Sequence, residues 1–152
     1  MTVIAYKAGI LAADRQTSMH NNPTTKVRRM KNGDLVGGCG SAAGVLALLD
    51  AMDAPVGATR NTAELMKDYK GDDLVSGILV RKADGKVFSC EWPFTHNIPI
   101  ELPFFALGSG REYAMGAMAA GKSAQQAIEI TSMYESNCGG GVDYLHLCGE
   151  TA

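Results

Sequence analysis

Branched and small residues alternate from Thr2 to Tyr6, Ala8-Gly9 offers a turn, and Ile10 to Ala13 is apolar again. This pattern predicts a tight antiparallel hairpin at the start of the chain. A polar stretch from Arg15 to Thr25, carrying Asn21-Asn22-Pro23, leads into a second hairpin. Its strands are Lys26 to Met30 and Leu35 to Gly38, joined by a turn at Lys31-Asn32-Gly33-Asp34. From Ser41 the period changes. Val45, Leu46, Leu48, Leu49 and Met52 recur at helical spacing, with Ser41 as N-cap and Pro55 and Gly57 as the stop. A short helix is predicted over Thr62 to Tyr69, then a third hairpin from Leu74 to Arg81, an Asp84-Gly85 turn, and Lys86 to Glu91.

Phe104 to Leu107 reads as a buried strand ending at Gly108-Ser109-Gly110, and the Ala- and Met-rich run from Glu112 to Ala120 as a close-packed helix. Ser123 caps a further helix to about Tyr134, and glycines 139 to 141 lead into a last strand, Val142 to Leu147. Short links between strands favour antiparallel sheets with helices packed outside them. The fold class expected is therefore α+β, a layered sandwich. No repeat or linker interrupts it, so residues 1–152 are read as a single domain.

Composition narrows the function. With 152 residues, 46% hydrophobic and 20% charged, the chain can build its own core. Fourteen Lys and Arg against 16 Asp and Glu leave a net charge of −2, which disfavours nucleic acid as a partner. The longest apolar stretch, Ala42 to Met52, is far shorter than the ~20 residues of a membrane span. The first residues lack a basic leader with an apolar segment, so a cytoplasmic location is expected. Cys39, Cys90, Cys138 and Cys148 and the three histidines show no metal-ligand spacing, and neither metal nor cofactor is expected.

The most informative position is the second. Removal of Met1, which a residue as small as Thr2 permits, would put a hydroxyl and an α-amine on one residue. The reference pKa of an α-amine, near 7.7, leaves a useful fraction free to accept the hydroxyl proton. A Thr with its own amine as base is a known form of nucleophilic catalysis.

Six segments then follow in order: Thr2-Val-Ile-Ala, Ala12-Ala-Asp14, Lys26-Val-Arg-Arg, Gly37-Gly-Cys-Gly-Ser41-Ala-Ala, Ala106-Leu-Gly-Ser-Gly110 and Cys138-Gly-Gly-Gly-Val-Asp143. Through them the sequence resembles the proteasome β subunits and bacterial proteasome-like peptidases, members of the N-terminal nucleophile hydrolases. It is more similar still to their short bacterial and phage-encoded relatives. The resemblance implies a four-layer αββα sandwich and a threonine-type endopeptidase acting on peptides or unfolded protein inside a homo-oligomeric ring or stacked rings. Any ATPase unfoldase would be a separate chain, because no G-x-x-x-x-G-K-[ST] loop is present.

By the same resemblance Thr2 matches the nucleophile, Asp14 and Lys26 the central charge pair, and Ser109 a serine that supports the amine. Gly38 matches the glycine whose amide lines the oxyanion hole, with Gly37 and Gly40 as alternatives in the same run. Glu135 and Cys138 stand where the family usually has Asp and Ser or Thr. Thr17 or Ser18, with Gly38 and Gly40, match residues that pair with an extended substrate. Relative to the family, the opening hairpin is shorter and the segment ahead of Leu74 has lost most of a long helix. Two other readings remain open: a non-catalytic structural or assembly subunit, and an amidase for small molecules on the same fold.

Overall fold

The computed structural model describes residues 2–16, 24–53, 75–91 and 97–148. The first hairpin forms as the sequence predicts, from β1 (Val3–Lys7) and β2 (Ile10–Asp14). Its turn uses positive φ at both central residues, Ala8 at 50° and Gly9 at 82°, the twist that suits a two-residue link between right-handed strands. β3 (Val27–Arg29) and β4 (Leu35–Cys39) make the second hairpin, and β5 (Ser76–Val80) and β6 (Val87–Glu91) the third. Gly33 and Gly85 take φ of 93° and 71° in the two turns, as Asn-Gly and Asp-Gly lead one to expect.

α1 (Ala42–Met52) starts where Ser41 Oγ accepts the Gly44 N–H at 3.1 Å. α2 (Arg111–Ala119) and α3 (Ala124–Tyr134) follow β8 (Phe104–Gly108), and β9 (Val142–His146) closes the chain order. At the start of α3, Ser123 and Gln126 cap each other reciprocally. One strand, β7 (Asn97–Ile100), was not expected. It is mostly exposed and contains Pro99, so it lacks both the apolar alternation and the full set of donors that mark a strand in sequence. The short helix predicted over residues 62–69 and the shortened segment before Leu74 lie outside the described residues.

Every strand pairing is antiparallel, in one sheet ordered β8-β1-β2-β9 and another ordered β3-β4-β5-β6-β7. Three apolar clusters separate the layers. Val36, Leu48, Leu49, Met52 and Leu79 pack α1 on the five-stranded sheet. Ile4, Leu11, Leu35, Ile78 and Val80 fill the space between the sheets. Val3, Ala5, Ala12, Ala106, Met118 and Ile128 pack α2 and α3 on the four-stranded sheet. Three interfaces make four layers, helix-sheet-sheet-helix. The period of two along β1 states the same thing in one strand: Val3 and Ala5 face the helices, Ile4 and Tyr6 the other sheet.

Small residues set the spacing of these layers. A Cβ on Gly77 would lie 2.9 Å from Gly37 O, 3.1 Å from Leu48 Cδ2 and 3.2 Å from Cys90 Sγ. Gly77→Ala is therefore expected to destabilise the fold by about 1–3 kcal/mol through overpacking. Gly116, inside α2 with nothing within 4 Å of such a Cβ, should gain about 0.5–1 kcal/mol on replacement by Ala. Urea unfolding of both variants checks the opposite signs.

Candidate active site

Antiparallel registers bring the predicted residues to one end of the sandwich. Ile4 pairs with Ala13, so the start of β1 lies beside the end of β2 and Val3 beside Asp14. Val3 pairs with Gly108 on the other side, which sets Thr2 next to Ser109. Lys26 precedes β3 in the opposite sheet, and its carbonyl accepts the Gly38 N–H at 2.9 Å. Four of the expected site residues, Thr2, Asp14, Lys26 and Ser109, thus converge from both sheets.

Asp14 is fully buried, and its carboxylate is saturated. Oδ1 accepts from Lys26 Nζ at 2.9 Å and from the Val3 N–H at 3.0 Å; Oδ2 accepts from the Gly139 N–H at 3.1 Å and the Gln16 N–H at 3.3 Å. A carboxylate has about four lone-pair sites, and all are used. Burying an ammonium and a carboxylate is tolerated only with this kind of satisfaction. Lys26, only 3% exposed, also donates to Gln16 O at 2.6 Å. Because one oxygen of Asp14 holds both the ammonium and the amide joining Thr2 to Val3, the buried cation sits within two hydrogen-bond lengths of the Thr2 backbone.

Thr2 itself is 2% exposed. Ser109 Oγ donates to its carbonyl at 3.4 Å and lies 3.9 Å from Cys138 Sγ. The glycines around Ser109 make this approach possible. A Cβ on Gly108 would fall 1.9 Å from Thr2 O, and one on Gly110 would fall 2.3 Å from Thr131 Cγ2 and 3.0 Å from Val3 Cβ. Burial and the nearby Asp14 charge push the Cys138 thiol up, with the Ser109 contact opposing them. A neutral thiol supports a hydroxyl at this position more weakly than a second hydroxyl would.

Two residues differ from their expected parts. The Gly38 N–H lies in the β3–β4 ladder, donating to Lys26 O, and so is spent on the sheet rather than aimed at a substrate. Gly37 is also within the ladder, paired with Val27 and Ile78, whereas Gly40 follows the end of β4 at the corner into α1, with φ of 131°. Glu135 turns its carboxylate to Asn137, accepting from both its N–H and Nδ2 at 3.2 Å. Its contribution is through the backbone, since its carbonyl accepts the Cys138 N–H at 3.0 Å. Thr17 and Ser18 lie outside the described residues.

Gln16 and Gly139 were not singled out from sequence, yet both hold the charge pair. Gly139 also accepts the Arg15 N–H at 2.9 Å, and Gln16 Nε2 donates to Ser136 O at 3.2 Å, so the loop after α3 is fastened to the strand that carries Asp14. Gly139 lies in the Cys138-Gly-Gly-Gly segment noted above, which was its only visible signal.

No protein-family model and no curated protein matches the sequence. Solved structures do. The chain is similar to eukaryotic HslV from Trypanosoma brucei over 95% of its own length and 97% of that chain, with a TM-score of 0.66 and 21% identity. It is similar to BPH from Thiobacillus denitrificans over 98% of its length and 99% of that chain, with a TM-score of 0.67 and 20% identity. Two facing antiparallel sheets between helical layers, with Thr2 at the start of a central strand, are the α+β sandwich that this chain shares nearly end to end with HslV and BPH. At this identity the likeness establishes architecture, and chemistry rests on the residues themselves. Among the described residues, no His, Cys, Asp and Glu cluster could hold a metal ion, and no helix is long and apolar enough to cross a membrane.

Three predictions follow from burial. Asp14→Ala removes the carboxylate that pairs with the buried Lys26 ammonium at 2.9 Å and is expected to cost about 3–5 kcal/mol in urea unfolding. The thiols of Cys39 and Cys90 are pushed up from 9.0 to about 11 and about 12 by desolvation. The native state then holds protons that the unfolded chain releases above pH 9, so stability should fall as pH rises from about 9 toward 11. At pH 8 iodoacetamide should label exposed Cys148 in the native protein and spare Cys39 and Cys90, as read by peptide mass mapping.

Proposed function

We propose that the chain is a threonine-type endopeptidase whose nucleophile, Thr2, is exposed by removal of Met1, and that it works inside a homo-oligomeric ring. The observation that carries this reading is the shared Asp14 oxygen, which ties a buried, paired ammonium to the Thr2–Val3 amide. An ammonium there favours the charged alkoxide character of Thr2 Oγ and disfavours protonation of the neighbouring amine. Thr2 Oγ attacks a peptide carbonyl while its own amine takes the hydroxyl proton and returns it to the leaving amine. Water then hydrolyses the Thr2 ester. With the Gly38 amide engaged, the Gly40–Ser41 corner is our assignment for the oxyanion donor.

Peptide is the preferred substrate class, with Thr17, Ser18 and Gly40 proposed to pair with its backbone. Ring assembly and a separate ATPase belong to the same reading, supported by the likeness to HslV. One observation favours a second reading, a non-catalytic subunit of the same fold: Glu135 directs its carboxylate away to Asn137, leaving Cys138 as the only side chain after α3 that contacts Ser109 among the described residues.

Protein lacking Met1 should cleave short fluorogenic peptides, and Thr2→Ala should lower the rate by at least about 10³-fold with an unchanged circular dichroism spectrum. Lys26→Met tests the charge by the same assay. Equal cleavage by Thr2→Ala and the parent would overturn Thr2 as the nucleophile, whereas no cleavage by the parent lacking Met1 would favour the non-catalytic reading.

A further inference from the structure

The end of the sandwich away from Thr2 holds an open cleft of about 780 Å³. It lies among the β1–β2 turn, the β5–β6 turn and the link from β7 to β8, and Tyr6, Val87, Phe88, Ile100 and Leu102 supply its apolar lining. Tyr6 stands four residues along β1 from Thr2, about 13 Å at the rise of an extended strand, so the cleft is separate from the candidate active site. Its volume falls within the ~300–1,000 Å³ of small-molecule sites. Leu102 is 56% exposed, and Tyr6, Phe88 and Ile100 are half-buried, so apolar surface here still faces water. The walls are held in shape. Pro99 and Pro103 flank the Glu101–Leu102 rim and restrict its backbone, and the Tyr6 hydroxyl accepts the Gly9 N–H at 3.2 Å.

The charges that line the cleft are ordered. The Arg81 N–H donates to Lys86 O at 2.8 Å, and Glu101 lies one step beyond the Val87–Ile100 pair, opposite Lys86. Arg81, Lys86 and Glu101 therefore form one row across the ends of β5, β6 and β7, two cations followed by a carboxylate. The Arg81 guanidinium lies 5.0 Å over the Phe88 ring, and its Nε and Nη2 donate to Asp84. That grip fixes the fork and leaves Nη1 without an acceptor among the described residues. Neither the Lys86 ammonium nor the Glu101 carboxylate has a hydrogen bond or ion pair among the described residues.

We infer that this cleft binds a short zwitterionic peptide carrying an apolar side chain. Its carboxylate takes the free Arg81 Nη1 donors and the Lys86 ammonium, its own ammonium takes Glu101, and its side chain covers Tyr6, Ile100 and Leu102. The order of charges selects this class. A simple anion would meet Glu101, a simple cation would meet Arg81 and Lys86, and a neutral apolar body would leave the row unanswered. Binding there needs no chemistry at Thr2.

The test is calorimetric titration of the folded protein with the dipeptide Leu-Phe, its N-acetyl form, its C-terminal amide, and Gly-Gly. Expected are saturable binding of Leu-Phe, at least roughly fivefold weaker binding when either end is blocked, and no measurable binding of Gly-Gly. Arg81→Gln should weaken Leu-Phe and erase the preference for a free carboxylate. Glu101→Gln should weaken it and erase the preference for a free amine, a matched pattern that a general loss of structure would not produce. Thr2→Ala should bind as the parent does. Absence of Leu-Phe binding overturns the inference, as does equal binding of the blocked forms, which would mean an apolar cleft alone. Unchanged affinity in both Arg81→Gln and Glu101→Gln, or loss of binding in Thr2→Ala, also overturns it by placing the dipeptide elsewhere. Because heat of binding is read rather than peptide cleavage, an inactive protein that binds Leu-Phe would sink the proposed function and leave this site standing.

Discussion

A cation that cannot reach water is the constraint around which this molecule is arranged. Lys26 Nζ lies in the interior, and the rest of its surroundings make that position tenable: the Asp14 carboxylate, the Gln16 carbonyl, and the amides of Val3, Gln16 and Gly139 that fill the remaining carboxylate sites. The pair joins the two sheets at one end, with Asp14 from the four-stranded sheet and Lys26 leading into the five-stranded one. Replacing such a pair by well-packed apolar residues is often neutral or stabilising. In the function proposed above, the pair acts as a local field at Thr2 rather than as a source of stability.

Much of the architecture was legible because local chemistry and tertiary need agree. Ala8-Gly9, Asn32-Gly33 and Asp84-Gly85 each announce a hairpin and each take the positive φ that the turn requires. Ser41 and Ser123 announce helix starts and both cap them. β7 escaped notice because it gains its place from pairing with β6 rather than from its own sequence. Nothing in Asn97-Ile-Pro-Ile distinguishes it from a loop.

The site was legible in its side chains and opaque in its backbone. Thr2, Asp14, Lys26 and Ser109 carry the resemblance and meet in space, since antiparallel registers force them together. The amides of Gly139 and Gln16 and the carbonyl of Gln16 have no side-chain signature, so their part emerged only with coordinates. Gly38 and Glu135 illustrate the converse. Each stands at a matching position in the sequence, yet a ladder hydrogen bond redirects the first and a two-residue turn redirects the second.

β7 carries a consequence for how copies of this chain meet. It is the outer strand of the five-stranded sheet among the described residues, and Pro99 removes one donor from its four residues. A foreign strand seeking to extend the sheet there finds an interrupted template, which discourages open-ended stacking into fibrils.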